Sequence, residues 1–300
     1  MLDGVSLDQL QAFIAAADEG SFSAAARKLR RAQSVVSELV SGLEGQIGVA
    51  LFDRSRRYPA LTKEGAVLLA EARAIAGGVD SLKARAKGMA KGLEPELSVV
   101  VDVLFPIAAV TEAAKEFRTA FPGVPLRLFV EALGAAYQPI LDGIAGLGIV
   151  GSLPLQPPEF ASERLISVAM IMVAAKDHPL AKKKGVITKA ELAKHVQLVL
   201  TDRSQLSKGR EFGVMSPFTW RLGDLFAKHA FLLGGLGWGG MPLHAVKADL
   251  AAGRLVELSV EDVPRGGLML PMAAAYPISA PPGPAGRWFI ERMKQCPGNA

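Results

Sequence analysis

One cysteine in 300 residues, Cys296, leaves no internal disulfide and no cysteine-built zinc cage, which fits a reducing compartment. Histidine is scarce too. His178, His195, His229 and His244 show no two-ligand helical spacing of the H-x-x-x-H kind, so no metal site and no metal cofactor are expected. No G-x-S-x-G elbow is present, catalysis has no candidate constellation, and an enzyme is not expected. A large charge excess is also missing. The 34 Lys and Arg against 29 Asp and Glu give +5, which is compatible with nucleic acid without arguing for it. The longest uncharged run, Gly266 to Gly286, is about 20 residues, near the length of a bilayer-crossing helix. It holds Pro271, Pro277, Pro281, Pro282 and Pro284, so it reads as a buried strand followed by a loop. Asp3 stands where a secretory signal carries Lys or Arg, and no long apolar core follows. A cytoplasmic protein is expected.

What is present is an ordinary globular chain. Half the residues are apolar and 21% are charged, against wholesale disorder, and the length suits two or three domains. Three short helical stripes open it. Leu7, Leu10, Phe13, Ile14 and Ala17 form the first, stopped by Gly20, after which Ser21 or Ser23 can cap the next helix. Phe22, Ala25, Ala26 and Leu29 form the second; Val36, Leu39, Leu43 and Ile47 form the third, ending near Gly48. Gln33, Ser34, Ser37, Glu38 and Ser41 lie opposite that last stripe. Two short helices joined tightly, the second with a small polar face, give a helix-turn-helix pattern. Glutamine can bond adenine bidentately in the major groove, and serine can reach phosphates or bases.

The segment Leu51 to Leu61 has apolar ends around Arg54, Arg56 and Arg57, and reads as a two-stranded wing. Residues 27–57 carry seven basic side chains against three acidic ones, a local +4. Thr62 then caps a long helix. Leu68, Ala72, Ile75, Val79, Leu82, Ala86, Met89 and Leu93 alternate in steps of four and three, a heptad seam suited to a two-stranded coiled coil or a packed helix pair. Gly77-Gly78 is its soft point.

Ser21-Phe22-Ser23-Ala24-Ala25-Ala26, Leu29, Gln33 to Ser37, Leu43-Glu44, Gly48, Leu51 to Arg54, Arg57, Leu61-Thr62 and Gly65 follow one ordered pattern. Over about sixty residues it resembles the N-terminus of LysR-type transcriptional regulators. The resemblance implies a winged helix-turn-helix, a dimerising linker helix and a C-terminal effector domain shaped like a periplasmic binding protein. One position departs. Ala32 stands where the family usually has a serine capping the recognition helix, at a loss of about 1 kcal/mol.

Beyond residue 93, strands alternate with helices. Strands are expected at Leu97–Val101, Leu126–Val130, Leu147–Gly151, Leu165–Ala174, Gln197–Leu200, Leu255–Leu258 and Leu268–Ala274. Helices are expected after Pro106, over Ala136–Gly143, near Lys189–His195, over Asp224–Leu233 and over Ala285–Gln295. This is an α/β layer with a parallel sheet. His178 to Ala181, the Gly235-Leu236-Gly237 loop ending at Pro242, and Ala252 to Val256 again resemble LysR-type effector domains, while Gly146 replaces the usual aspartate of one turn.

The fold class is therefore α+β overall. The expected boundaries are 1–61 for the winged helix, 62–92 for the linker helix and 93–300 for the effector domain. Its lobe I covers about 93–166 and 270–300, and its lobe II about 167–269. The expected DNA contacts are Ser23, Arg31, Gln33, Ser34, Ser37, Arg54, Arg56 and Arg57. In such domains a small molecule binds between two lobes, facing strand ends and helix N-termini. That selects Asp102, Leu104, Phe105, Thr201, Arg203, Trp220, Gly237 and Trp238 as effector contacts. Asp102 disfavours an anion near the first loop, so an aromatic or neutral effector is expected, stacked near Phe105, Trp220 or Trp238. The expected partners are double-stranded DNA with a pseudo-palindromic operator, the effector, and further copies of the chain as a dimer or tetramer. RNA polymerase is a further candidate partner. Gly235-x-Gly237-x-x-Gly240 formally fits a dinucleotide fingerprint, but it follows a helical pattern and runs into Met241-Pro242, so no cofactor is expected. The competing class is a small-molecule-binding protein or enzyme built on the C-terminal lobes. An enriched palindromic DNA site separates the two.

Overall fold

The computed structural model of the chain describes residues 4–53, 59–151, 157–206, 208 and 210–296. The chain divides into two compact units, Met1–Gly88 and Met89–Ala300. Among the described residues no helix is long and apolar enough to cross a membrane.

In the first unit, α1 (Leu7–Glu19), α2 (Phe22–Leu29) and α3 (Gln33–Ile47) follow the three stripes. Ser6 and Gln9 form a reciprocal capping box at the start of α1, and Gly20 ends it at φ 66°. Ser21, rather than Ser23, caps α2, its hydroxyl accepting from Ala24 N at 3.1 Å. On α3 the buried face is Val36, Val40 and Leu43, with Leu39 and Ile47 half-buried. Phe13 and Phe22 meet Phe52 edge-on, with ring centroids 5.7 and 5.3 Å apart. β1 (Phe52–Asp53) and β2 (Ala60–Leu61) pair antiparallel and make the stem of a wing. Arg54, Arg56 and Arg57, expected from sequence in the wing, lie outside the described residues. The Glu44 carboxylate accepts from Leu51 N and Phe52 N at 2.8 and 3.2 Å, tying α3 to the stem.

Thr62 caps α4 (Lys63–Met89) by accepting from Gly65 N at 2.8 Å. A Cβ on Gly65 would lie 2.2 Å from the Leu51 carbonyl oxygen, so only glycine lets α4 pass the stem this closely. The helix runs unbroken through Gly77-Gly78 for 27 residues, roughly 40 Å, and leaves Leu93 beyond its end. Of the heptad seam only Ala72 is buried; Ile75, Leu82 and Met89 are 53%, 67% and 51% exposed.

The second unit begins with β3 (Leu97–Asp102), α5 (Ile107–Ala120), β4 (Leu126–Glu131), a 3-10 turn (Leu133–Ala136), α6 (Gln138–Leu141) and β5 (Leu147–Gly151). It continues with β6 (Phe160–Ala175), α7 (Lys189–Leu192), β7 (Gln197–Leu200), β8 (Thr219–Leu222), α8 (Leu225–Leu233) and β9 (Trp238–Pro242). It closes with α9 (Leu243–Ala251), β10 (Leu255–Glu257), β11 (Leu268–Pro277) and α10 (Pro284–Lys294). Nine strands form one sheet, ordered β4-β3-β5-β11-β6-β9-β7-β8, with β10 on β6. β3 lies parallel to β4 and β5, and β7 parallel to β8 and β9. Between these two groups β11 and β6 run antiparallel.

Each parallel group has its own core. Val101, Phe117, Ile149 and Phe289 fill one lobe; Leu198, Leu232, Met241 and Val246 fill the other. β6 passes from one to the other. Ile166 and Val168 pack in the first core, Ile171 and Val173 in the second, and Met170 touches both. β11 returns beside it with a register shift between Pro271 and Ala273, where a proline without an N–H can be accommodated. The chain's end is fastened to the first lobe. The Glu94 carboxylate accepts from Ala285 N and Gly286 N at 3.0 and 2.8 Å, at the positive end of α10. Glu163 takes Lys294, Tyr276 and Arg287 at 2.9, 2.8 and 2.6 Å. Lys294 foremost, with the other two, holds its carboxyl at about 2 against a smaller upward push from burial.

Four expectations differ from the structure. β6 starts at Phe160 and not Leu165, because its first half pairs with β11. The second half of the glycine-rich loop, Trp238–Pro242, is strand β9, since pairing to β6 and β7 overrides glycine's weak strand preference, while Gly235 to Gly237 stay outside any strand. The helix over Ala136–Gly143 is a 3-10 turn plus the short α6, and the one near Lys189–His195 is the single turn α7.

Candidate functional site

The first unit presents a polar surface at the start of α3. Gln33 and Ser34 are exposed there, and Ser37 is half-buried one turn on. Ser23 Oγ donates to Gln33 Oε1 at 2.9 Å, so Ser23 orients the glutamine. Arg31 pairs with Asp8 at 2.8 Å, with both side chains well exposed. An exposed pair of this kind contributes about 0–1 kcal/mol, so a phosphate can displace Asp8 at little cost. Ala32 is the N-cap of α3 and offers no side-chain bond. Ala32→Ser is therefore expected to stabilise this unit by about 1 kcal/mol, shifting its melting by roughly 4–8 °C. An unchanged melting curve contradicts that.

In the second unit the ends of β3, β4 and β5 bring Asp102, Glu131 and Gly151 together. Asp102 is buried and accepts from Leu104 N at 2.9 Å and Gly151 N at 3.3 Å. Burial pushes its carboxyl up to about 6, against the pull of those amides. The folded state thus binds this proton more tightly than the unfolded chain does. The resulting stability is full below about pH 4, is lost as pH rises through 6, and amounts to about 3 kcal/mol. Unfolding free energies of the wild type and Asp102→Asn, measured from pH 4 to 8, are expected to diverge across that window. A pH-independent difference contradicts it.

The loop after β7 reaches across from the second lobe. The Asp202 carboxylate accepts from Gly134 N and Ala135 N, both at 3.1 Å, and from Ser204 N and Oγ at 2.8 and 3.0 Å. Arg203 pairs with Glu131 at 2.6 Å. Thr201 Oγ1 is buried without a hydrogen-bond partner among the described residues.

Between the lobes lies a cavity of about 290 Å³, walled by Leu104, Met170, Met172, Leu198, Leu200, Leu225 and Lys228 among others. Of the residues selected from sequence, Leu104 lines it. Asp102 and Phe105 instead border a larger groove of about 880 Å³ along the starts of α5 and α8. The aromatic side chains selected from sequence do not line the smaller cavity. Phe105 belongs to the first lobe's core. Trp238 is fully buried among Ala174, Leu180 and Leu192, with its indole N–H on His195 O at 3.4 Å, so it has no face for a ligand. Gly237 packs on the Val196 carbonyl, where a Cβ would lie 2.4 Å away. Trp220 sits on β8, the outer edge of the sheet, edge-on to Phe231. No aromatic cradle assembles from these side chains.

The residue that sequence reasoning passed over is Lys228. It is 5% exposed, and its Nζ donates to Gly240 O at 2.7 Å. Among the described residues no carboxylate is paired with it, and burial pushes its pKa down to about 8. Its signal was in the spacing: Leu225, Lys228 and Leu232 share the buried face of α8.

Two family models account for nearly the whole chain. Residues 7–66 match the bacterial regulatory helix-turn-helix protein, lysR family, and residues 90–296 match the LysR substrate binding domain. The chain belongs to the LysR family of DNA-binding transcriptional regulators. This LysR-type regulator is 29% identical over 267 residues to the probable HTH-type transcriptional regulator YhaJ of Escherichia coli, covering 86% of this chain and 87% of that one. It is 30% identical over 245 residues to the HTH-type transcriptional regulator AceR of Acinetobacter baumannii, covering 82% of each. A solved structure of a Corynebacterium glutamicum OxyR cysteine mutant shares its fold with a TM-score of 0.61 at 21% identity, covering 98% of this chain and 93% of that one. A full-length OxyR cysteine variant from Pseudomonas aeruginosa gives a TM-score of 0.53 at 20% identity, covering 97% and 100%.

Proposed function

We propose that two copies of this LysR-type regulator pair along α4 and set their α3 helices into successive major grooves of a pseudo-palindromic site. The observation that carries the reading is Gln33, exposed at the start of α3 and held by Ser23. The exposed Ile75, Leu82 and Met89 seam supports the pairing. Gln33, Ser34 and Ser37 read bases, while Arg31 and the wing arginines Arg54, Arg56 and Arg57 hold phosphates or the minor groove. The corresponding boundaries are 1–61, 62–92 and 93–300, with lobe I at about 93–166 and 270–300. A small molecule in the cavity beside Leu104 alters how the paired chains sit on DNA. The reading places the regulator in the cytoplasm, beside DNA and RNA polymerase.

Selection of binding sites by the full chain is expected to enrich a pseudo-palindrome. Gln33→Ala is expected to lose about 1–3 kcal/mol at one base position. Arg54→Ala is expected to weaken all DNA evenly and to reduce the salt slope by about 1. Failure to enrich a palindrome, or an equal loss on every sequence for Gln33→Ala, overturns the reading.

A further inference from the structure

Charge around the inter-lobe cavity is unevenly placed. On the first lobe, the amides that could greet an anion are already held. The Asp102 carboxylate takes Leu104 N and Gly151 N, and the Asp202 carboxylate takes Gly134 N and Ala135 N. An incoming anion would meet two resident carboxylates there.

The opposite wall differs. Lys228 is the one charged side chain among the described residues lining the cavity. Its stem passes Gly239, where a Cβ would lie 3.3 Å from Lys228 Cε and 2.5 Å from Leu198 O. Its ammonium has three donors, of which Gly240 O accepts from one. The neighbouring Gln197 amide is engaged by Gly213 O, Met215 N and Ser216 N. Leu104, Met170, Met172, Leu198, Leu200 and Leu225 supply apolar wall. A cation kept from water without a counter-ion is unfavourable until something completes its shell. At neutral pH it stays mainly protonated, because burial lowers its pKa only to about 8.

We propose that this cavity takes a small monocarboxylate with an apolar body, its anionic end on Lys228 Nζ and its body against Met170, Met172 and the leucines. The proposal rests on the effector-cavity reading above and names the ligand class for it. It replaces the aromatic or neutral effector expected from sequence, since Phe105, Trp220 and Trp238 are elsewhere, Phe212 is the one aromatic side chain among the described lining residues, and the cation is here. A volume of about 290 Å³ is at the small end for ligand sites and admits one compact molecule.

The test is calorimetry on the full chain at fixed ionic strength, with hexanoate against hexanamide and benzoate against benzamide. At least one carboxylate is expected to bind about 10- to 100-fold more tightly than its amide. Lys228→Met is expected to lose that preference while melting higher than the wild type without ligand, because methionine fills much of the same space and carries no charge. Met172→Trp, which fills the cavity, is expected to abolish binding altogether. Equal binding of acid and amide, or a preference retained in Lys228→Met, overturns the anion assignment; loss of binding in Met172→Trp then leaves the cavity itself standing. Binding that survives Met172→Trp places the ligand elsewhere and overturns both readings. No binding by either carboxylate, or a lower melting temperature for unliganded Lys228→Met, also overturns the proposal.

Discussion

Gly65→Ala is expected to destabilise the helix-turn-helix unit by about 2 kcal/mol or more and to weaken DNA binding, although alanine favours helices. Two effects oppose each other. Replacing a helical glycine by alanine gains about 1 kcal/mol in an open position. At Gly65 the new Cβ would sit 2.2 Å from the Leu51 carbonyl oxygen, and 3.1 Å from Leu51 Cα. Those atoms are backbone, held by Leu51 N donating to Glu44 and by the Leu51 carbonyl accepting from Thr62 N at 3.0 Å, so the clash cannot relax by rotating a side chain. Overpacking of this kind typically loses 1–3 kcal/mol, and a backbone clash belongs at the upper end. The net expectation is a loss of about 2 kcal/mol or more. Gly77→Ala and Gly78→Ala are the internal controls. Neither would meet an atom within 4 Å, so each is expected to gain up to about 1 kcal/mol. Hydrogen exchange over residues 7–72 reads both signs in one experiment. Equal behaviour at the three glycines removes the argument.

Asp202→Ala is expected to lower the stability of the effector unit by about 2 kcal/mol. The carboxylate serves Gly134 N and Ala135 N, which belong to buried residues of a turn in the other lobe. Deleting it leaves the buried Gly134 N–H without an acceptor, at about 1–3 kcal/mol, while Ala135 N keeps only the Ala132 carbonyl at 3.1 Å. The adjacent Arg203–Glu131 pair is more visible on the surface and matters less. Its arginine is 61% exposed, and such pairs contribute about 0–1 kcal/mol. Asp202→Asn keeps one acceptor oxygen and is expected to fall between. Denaturant midpoints should rank wild type, Arg203→Ala, Asp202→Asn, Asp202→Ala. The Gly134 and Ala135 amides should exchange fastest in the last. A loss for Asp202→Ala no greater than that for Arg203→Ala removes the distinction.

The helix-turn-helix was legible because its signals are local. Stripes of period 3.6, Ser21 as a cap and Gly20 and Gly48 as stops act within a few residues, and the structure uses each. The effector unit was legible in order but less so in extent. β9 carries Gly239 and Gly240 in five residues, and its strand character comes from β6 and β7, distant in sequence. The cavity was the hardest part. Tryptophan suggested a ligand platform, yet Trp238 is simply a large apolar body that fills a core. Lysine suggested solvent, yet Lys228 sits in the apolar stripe of α8. Position within the helical repeat carried more information there than residue type.

The bonds from Glu94 to α10 have a consequence for how the chain is made. Glu94 and Gly286 are 192 positions apart, and Phe289, Ile290 and Met293 complete the core that begins with Leu97 and Val99. At about 5–20 residues per second, a ribosome needs roughly 10–40 s to supply the second part after the first has emerged. Throughout that interval the apolar faces of β3 and α5 await their cover. The elements α1 to α4 are complete by Met89 and need nothing from the C-terminal segment to close their own core. Synthesis therefore finishes the DNA reader first and the sensor last. A chain cut short before Pro284 keeps the reader and loses the closing side of the sensor's first lobe.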